Sequence, residues 1–362
     1  NKNMIKTYQH YLIKLFYKKI LITSSIFFCL IIILNIFEEI NFFKNLEINF
    51  LLPFFISLLR APSNLFEVFP FIFLISSQFF FLDLINKNEL ETLKIHGLNN
   101  LKIIKILFLS SFFLSMLFVL IFYSVSAKLN FLYLDIKNKY SDDNKYLAVV
   151  TKNGLWIKDE IKEKTYIVNS TAIEDNFLKN VVISLFDKNF DLKSVTISPK
   201  VDITNFRWEV YQPTISTDNK RIEYEESIYI DLHFDLKKIN SLYRNLSSLT
   251  PLELWKLKKD YESIGYSTND IMLQIHKLIS FPFYLTILTI LMSIIMLNTR
   301  RNKTVIFHII LGVFISVIIY YFYYLFNLFG KNNTIPILTS VWLPLLILII
   351  FIMIGLIRVN EK

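Results

Sequence analysis

Crossing roughly 30 Å of hydrocarbon at 1.5 Å per residue takes a helix of about 20 apolar residues. The chain contains six runs near that length: Ile20 to Phe37, Leu65 to Ile85, Ile103 to Ser126, Ile279 to Leu297, Val305 to Phe329 and Ile337 to Ile357. Lipid offers no partner to backbone polar groups, so runs of this kind commit the chain to transmembrane α-helices. The first run is followed by Phe37-Glu38-Glu39 and no small-residue cleavage site, so it reads as a retained span. Yet 19% of the residues are charged, too many for a chain lying wholly in lipid. A sizeable aqueous part is therefore expected.

That part lies between the third and fourth runs, in residues 128–270, where the hydrophobic period changes. Val181-Val182-Ile183-Ser184-Leu185-Phe186, Val195-Thr196-Ile197, Trp208-Glu209-Val210-Tyr211 and Ile228-Tyr229-Ile230-Asp231-Leu232 are short β-branched or aromatic runs, with turn residues such as Asp187-Lys188-Asn189 between them. Strands without intervening helices predict an all-β, jelly-roll-like module large enough to bury its own core. A capping box, Thr250-Pro251-Leu252-Glu253, opens a helix that Gly265 is expected to stop. The single cysteine, Cys29, has no second thiol to pair with. The predicted division is 1–127 for an N-terminal transmembrane half, 128–270 for the β module and its helix, and 271–362 for a C-terminal transmembrane half.

Charge supplies an orientation. The whole chain is +9, which by itself would allow a nucleic-acid partner. Residues 128–270, however, hold 21 basic and 22 acidic side chains, so the excess belongs to the membrane part. Fourteen of its 18 basic residues fall on one side of the six spans, including Lys14, Lys18, Lys19, Lys87, Lys94, Lys102, Arg300, Arg301 and Arg358. The positive-inside rule makes that side cytoplasmic, with both termini inside and the β module outside. The net charge then marks topology, and no nucleic-acid partner is implied.

No sequence signature of catalysis is present: there is no HExxH, GxSxG, paired-cysteine or GxxxxGK[ST] pattern, and the six glycines stand singly. No catalytic residue, metal site or bound cofactor is expected in this chain. Asp142-Asp143 reads as turn chemistry, and His276, Lys277 and His308 read as headgroup contacts at span ends. Pro62 and Pro70 are expected to interrupt or redirect the start of span two, and Glu67 to sit hydrated at the interface. Tyr320-Tyr321-Phe322-Tyr323-Tyr324 fits an interfacial aromatic belt, or alternatively the lining of an acyl-chain cavity.

The segment Asn88-Glu89-Leu90-Glu91-Thr92-Leu93-Lys94-Ile95-His96-Gly97-Leu98-Asn99 predicts a short cytoplasmic helix, within about 87–100, that Gly97 ends. It is acidic at its start and basic towards its end, as the macrodipole favours. Leu90, Leu93 and Leu98 are expected to form an apolar stripe that nothing else in the chain covers, so either a solvated connector or a docking element is open.

Taken with the topology, this segment resembles the LptF/LptG permease family, the membrane subunits of the ATP-driven machine that extracts lipopolysaccharide from the bacterial inner membrane. The family pattern Ser-Glu-Leu-x-x-Leu-Arg-x-x-Gly-x-Ser is matched by Asn88-Glu89-Leu90 through Leu93-Lys94 to Gly97-Leu98-Asn99, with Asn for both Ser and Lys for Arg. Pro62 and Pro70, Asn153-Gly154-Leu155-Trp156-Ile157, and Gln274-Ile275-His276-Lys277 with Pro282 also resemble family positions. Phe37-Glu38-Glu39 and Trp342-Leu343-Pro344 look more like LptG than LptF.

The resemblance implies that Glu89, Leu90, Leu93, Lys94 and Gly97 belong to a coupling helix that docks on a cytosolic, LptB-like ABC ATPase dimer, where ATP and Mg would bind. It also implies a second, LptF-like permease, an LptC/LptA-like periplasmic bridge protein and lipopolysaccharide as partners. Lys44, Lys128, Lys137, Tyr320 and Tyr324 are candidates for the substrate cavity or its mouth. The acidic Glu38-Glu39 pair stands where basic groups usually meet the lipid's anionic groups. Two other classes remain open at this point: a membrane-anchored envelope enzyme acting on lipid or glycan, and a mechanotransmission-type ABC subunit. Polar residues converging in the β module would favour the enzyme, whereas six spans count against the latter, whose usual number is four.

Overall fold

A computed structural model describes residues 7–44, 49, 51–140, 155–161, 164–174, 176–217, 220–236, 239, 245–263, 267–298 and 304–360. Gly154, Asp142, Asp143, Gly265, Arg300 and Arg301, each given a meaning above, lie outside the described residues. The chain divides into two compact units, Asn1–Tyr133 with Asn269–Lys362, and Leu134–Thr268. It is a helical polytopic protein with an inserted β domain.

Among the described residues, six helices are long and apolar enough to cross a membrane. The elements are α1 (Thr7–Phe43), α2 (Leu51–Asn86), the short α3 (Glu89–Ile95), α4 (Asn100–Leu117), a π-helical turn Phe118–Phe122, α5 (Tyr123–Asn138), then α7 (Asn269–Asn298), α8 (Val305–Lys331) and α9 (Ile337–Asn360). Together α4, the π turn and α5 make the third span. In α1 the buried residues Leu12, Phe16, Ile20 and Thr23, then Ile31, Asn35, Glu39 and Phe43, recur every three or four positions within each group, the stripe that one helical face requires. Leu21, Leu34 and Phe37 on its other face are exposed, as suits a surface facing lipid. The most apolar stretches of α2 and α7 are 67% and 72% buried, against 17% for α8. The unit is thus built around α2 and α7, with the other spans outside them.

Both Pro62 and Pro70 lie inside one continuous α2, and the residues from Leu51 onward are already its first turns. The expected interruption does not occur: the helix continues through both prolines, as membrane helices tolerate. Pro282 and Pro344 sit within α7 and α9 in the same way. The π turn has a packing role. One extra residue per turn brings Phe118 and Phe122 together against Phe69 of α2, at ring distances of 4.3 and 5.3 Å. Phe66 stacks on Phe281 of α7 at 4.4 Å.

The second unit holds one antiparallel sheet, β1 (Leu155–Ile161), β2 (Lys164–Ser170), β3 (Ala172–Glu174), β4 (Phe177–Phe186), β5 (Leu192–Asp202), β6 (Arg207–Tyr211), β7 (Thr214–Thr217), β8 (Lys220–Glu223) and β9 (Ile228–Asp231). Its main path is β1-β2-β4-β5-β6-β9, while β7 pairs with β5 and β8, and β3 with β4. The long β5 serves two neighbours: Val195, Thr196 and Ile197 pair with β7, and Lys200, Val201 and Asp202 with β6. The β4–β5 turn is closed by Asp187, whose Oδ1 accepts hydrogen bonds from the Asn189 and Asp191 amides. Leu155, Ile157, Val168, Leu178, Val181, Ile183, Val201 and Val210 are buried around Trp208, whose indole N–H donates to the Phe234 carbonyl at 2.6 Å. The unit ends in α6 (Pro251–Ser263). Its capping box is present: the Glu253 carboxylate accepts from the Thr250 amide and hydroxyl, both at 2.8 Å, and the Glu253 amide donates to the Thr250 hydroxyl at 3.4 Å.

Candidate functional site

The α3 segment is shaped by two residues in the left-handed backbone region. Asn88, at φ 57°, turns the chain out of α2; its carbonyl accepts the first helical hydrogen bond, from the Thr92 amide. Asparagine populates this region more readily than serine does, which gives a physical sense to Asn at that position. At the other end Gly97, at φ 84°, donates to the Lys94 carbonyl while Leu98 donates to the Leu93 carbonyl. These two bonds form a Schellman motif, and glycine is the residue that enters it without strain. Asn99 then caps α4 by accepting from the Lys102 amide, and the Lys102 ammonium donates to the Gly97 carbonyl.

The expected apolar stripe is only partly available. Leu98 is buried, as the residue after a Schellman glycine commonly is, and Leu90 and Leu93 are half-buried. The apolar side chain that α3 presents outward is Ile95, 83% exposed, alongside the exposed Lys94 and Gly97. Glu89 is half-buried and accepts a hydrogen bond from the Tyr11 hydroxyl of α1 at 2.5 Å. About two turns further along α1, Lys19 pairs with Asp83 of α2 at 2.5 Å. Tyr11 was not singled out by sequence reasoning; it stands 78 positions from Glu89, and nothing local in the sequence marks it.

At the opposite end of the α1–α2 pair the two acids after span one face a common cation. Arg60, inside α2, reaches Glu38 at 2.6 Å and Glu39 at 3.6 Å. Glu39 is wholly buried and also accepts from the Tyr133 hydroxyl at 2.8 Å, while the Arg60 guanidinium lies 5.4 Å from the Tyr133 ring centre. Next to this cluster, Asn35 of α1 accepts from the Asn64 amide at 2.8 Å. Opposite charges on one side of the membrane at the ends of consecutive spans are a signal that sequence reasoning could have used to pair them.

The candidate cavity residues are spread over α1, α5 and α8. Lys44 and Lys128 are exposed, and Lys137 is buried in the last turn of α5. Tyr320 and Tyr324 stack on each other at 6.3 Å, half-exposed on α8, and Tyr320 also meets Phe71 of α2 at 5.3 Å. Tyr323 of the same run faces inward and stacks on Tyr284 at 4.6 Å, so the run is not a uniform belt. His308 is buried, not at a surface: its ring Nδ1 lies 2.9 Å from the Thr304 carbonyl oxygen, and its own carbonyl accepts from the Gln78 amide. Gln78 packs directly against Gly312, where a Cβ would overlap the amide. Glu67 is exposed, and His276 and Lys277 are half-buried.

A cavity of about 500 Å³ opens between α1, α2 and the π turn, walled almost entirely by carbon, with Tyr17, Ser24, Ser25, Pro62, Phe69 and Phe118 on its lining. Among the described residues of the β unit the interior is mostly apolar, with a few buried polar side chains. The most conspicuous of these is buried Asp159, which accepts from the His233 amide at 2.6 Å and meets the His233 ring at 2.9 Å. No group of three His, Cys, Asp or Glu side chains suited to a metal occurs among the described residues.

The family model for the lipopolysaccharide export system permeases LptF/LptG matches residues 10–358. The chain therefore belongs to that family, whose members are lipopolysaccharide export permeases, and it is a multi-pass protein of the inner membrane. No individual curated protein matches the chain.

Proposed function

We propose that this member of the LptF/LptG family is the LptG-type permease of an ABC transporter, driven through α3 by a separate cytosolic ATPase that binds ATP and Mg, in company with a second permease. The observation that carries the reading is α3 itself. It is a seven-residue helix set between two left-handed turns, with Glu89 at its N-terminus and Ile95, Lys94 and Gly97 exposed. A helix of this size has too little buried surface to be a structural element in its own right, and an exposed isoleucine flanked by charge suits a protein partner.

Orientation follows the charge distribution: the α3 end, with Lys14, Lys19, Lys87, Lys94 and Lys102, faces the cytoplasm, and the β unit faces the periplasm. On that side the jelly-roll-like unit joins a bridge protein, and the lipid leaves the inner membrane towards the outer one. Energy enters only through a contact that differs between ATPase states, since a partner that bound all conformations equally would shift nothing. Arg60 is taken up by Glu38 and Glu39, so recognition of the lipid's anionic groups falls to other bases, with exposed Lys44 and Lys128 the candidates.

The test is charge reversal at the start of α3. Glu89→Lys, isolated with its native partners, is expected to lose the ATPase while keeping the second permease. Retention of the ATPase and of export would refute the assignment of α3.

A further inference from the structure

We infer that Tyr11 is the positioning residue that ties α3 to α1, so that a displacement of α3 is delivered to α1 and not absorbed at the turns beside it. The inference rests on the reading of α3 as the ATPase contact. Its starting point is mechanical. α3 is seven residues long, has no buried residue, and is joined to α2 and α4 through Asn88 and Gly97, both in the left-handed region. A short element with little burial between two such turns is at the low end of local stability and pivots when pushed.

One bond from α1 opposes that pivoting directly, and a second holds the end of α2 beside it. The Tyr11 hydroxyl donates to Glu89 Oε2 at 2.5 Å, at the first helical residue of α3, and Lys19 holds Asp83, just before the turn, at 2.5 Å. Tyr11 and Lys19 are eight residues apart on one helix, about 12 Å along its axis. The salt bridge fixes α1 against α2, and the hydrogen bond adds a point of attachment beyond the turn. The Tyr11–Glu89 bond is charge-assisted, and the carboxylate it holds also faces the positive end of α3. Lys19–Asp83 reaches only α2, so Tyr11 supplies the tie that crosses the Asn88 turn. In this arrangement α1 moves with α3.

The bond is tested by two spin labels on the full chain in lipid nanodiscs, at Lys14→Cys on α1 and His96→Cys at the end of α3, in a Cys29→Ser background. Both label sites are exposed. The expected result is one narrow interlabel distance that stays put when the ATPase binds and when ATP is added. Tyr11→Phe, which removes only the hydroxyl, is expected to broaden the distribution and to let its maximum shift with nucleotide. Glu89→Gln retains an acceptor and is expected to preserve the narrow peak, whereas Glu89→Leu loses it. A distribution unchanged by Tyr11→Phe, with and without the ATPase, would overturn the inference. Failure of the wild-type chain to recruit an ATPase would instead defeat the functional reading, and the labelled chain alone would still decide whether Tyr11 ties the two helices.

Discussion

Replacing Gly97 with alanine isolates the backbone chemistry of the α3 turn. At φ 84° the residue is left-handed, and a Cβ built there would meet no atom within 4 Å. Steric collision with neighbours is thereby removed from the account, and only the intrinsic backbone cost of an L-residue remains, about 1–2 kcal/mol. Alanine also narrows the unfolded ensemble, which returns about 0.4–1 kcal/mol. The net is a loss of roughly 1 kcal/mol, or about a fivefold rise in local opening. Asparagine tolerates the left-handed region and should cost less than alanine. The assay is amide hydrogen exchange of the full chain in nanodiscs, followed at positions 97 and 98, whose amides donate to Lys94 and Leu93. Exchange is expected to quicken about fivefold in Gly97→Ala and less in Gly97→Asn. Alanine exchanging as slowly as glycine, or asparagine faster than alanine, would refute the backbone argument.

Three further outcomes follow from the packing and charge described above. Arg60→Met removes a cation from beside wholly buried Glu39 and should destabilise the first unit by about 3 kcal/mol, the low end for a broken buried pair because Tyr133 still donates; thermal unfolding in nanodiscs checks this, and adding Glu39→Gln should recover most of the loss. Trp208→Phe removes both the bond to the Phe234 carbonyl and core volume, and should cost the β unit about 2–4 kcal/mol in chemical denaturation of the intact chain. The Lys193 ammonium, with the Asp191 and Asn189 amides, holds the Asp187 carboxyl below its ordinary value. The stability this gives the β4–β5 turn is present above the ordinary carboxylate value and is lost as pH falls through the lowered one; a carbon-detected titration should show Asp187 rising towards the ordinary range in Lys193→Met, and no change would contradict the assignment.

Much of the architecture was legible because it depends on length and period. Six apolar runs located six spans, and Thr250-Pro251-Leu252-Glu253 located the start of α6. The span ends were less legible. α1 begins at Thr7 and carries Lys14, Lys18 and Lys19 within it, because helical hydrogen bonding does not stop where hydrocarbon does. At 37 residues it is about 55 Å long, well beyond the apolar core of a bilayer. In the β unit, β8 escaped notice since Lys220-Arg221-Ile222-Glu223 is exposed throughout and shows no apolar alternation. The order of Glu89, Gly97 and Lys94 was readable as a local pattern. Their environment was not: Tyr11 reaches Glu89 only through the antiparallel packing of α1 on α2, and Arg60 meets Glu38 and Glu39 for the same reason.

The central claim, that ATP drives lipopolysaccharide through this permease by way of α3, is tested most directly by transport in a defined membrane. The native assembly containing this chain is reconstituted into proteoliposomes loaded with lipopolysaccharide, and release to a soluble acceptor is followed with and without ATP. Release that requires ATP and is abolished by Glu89→Lys is the predicted result. Release that is independent of ATP, or that survives Glu89→Lys unchanged, would contradict the account.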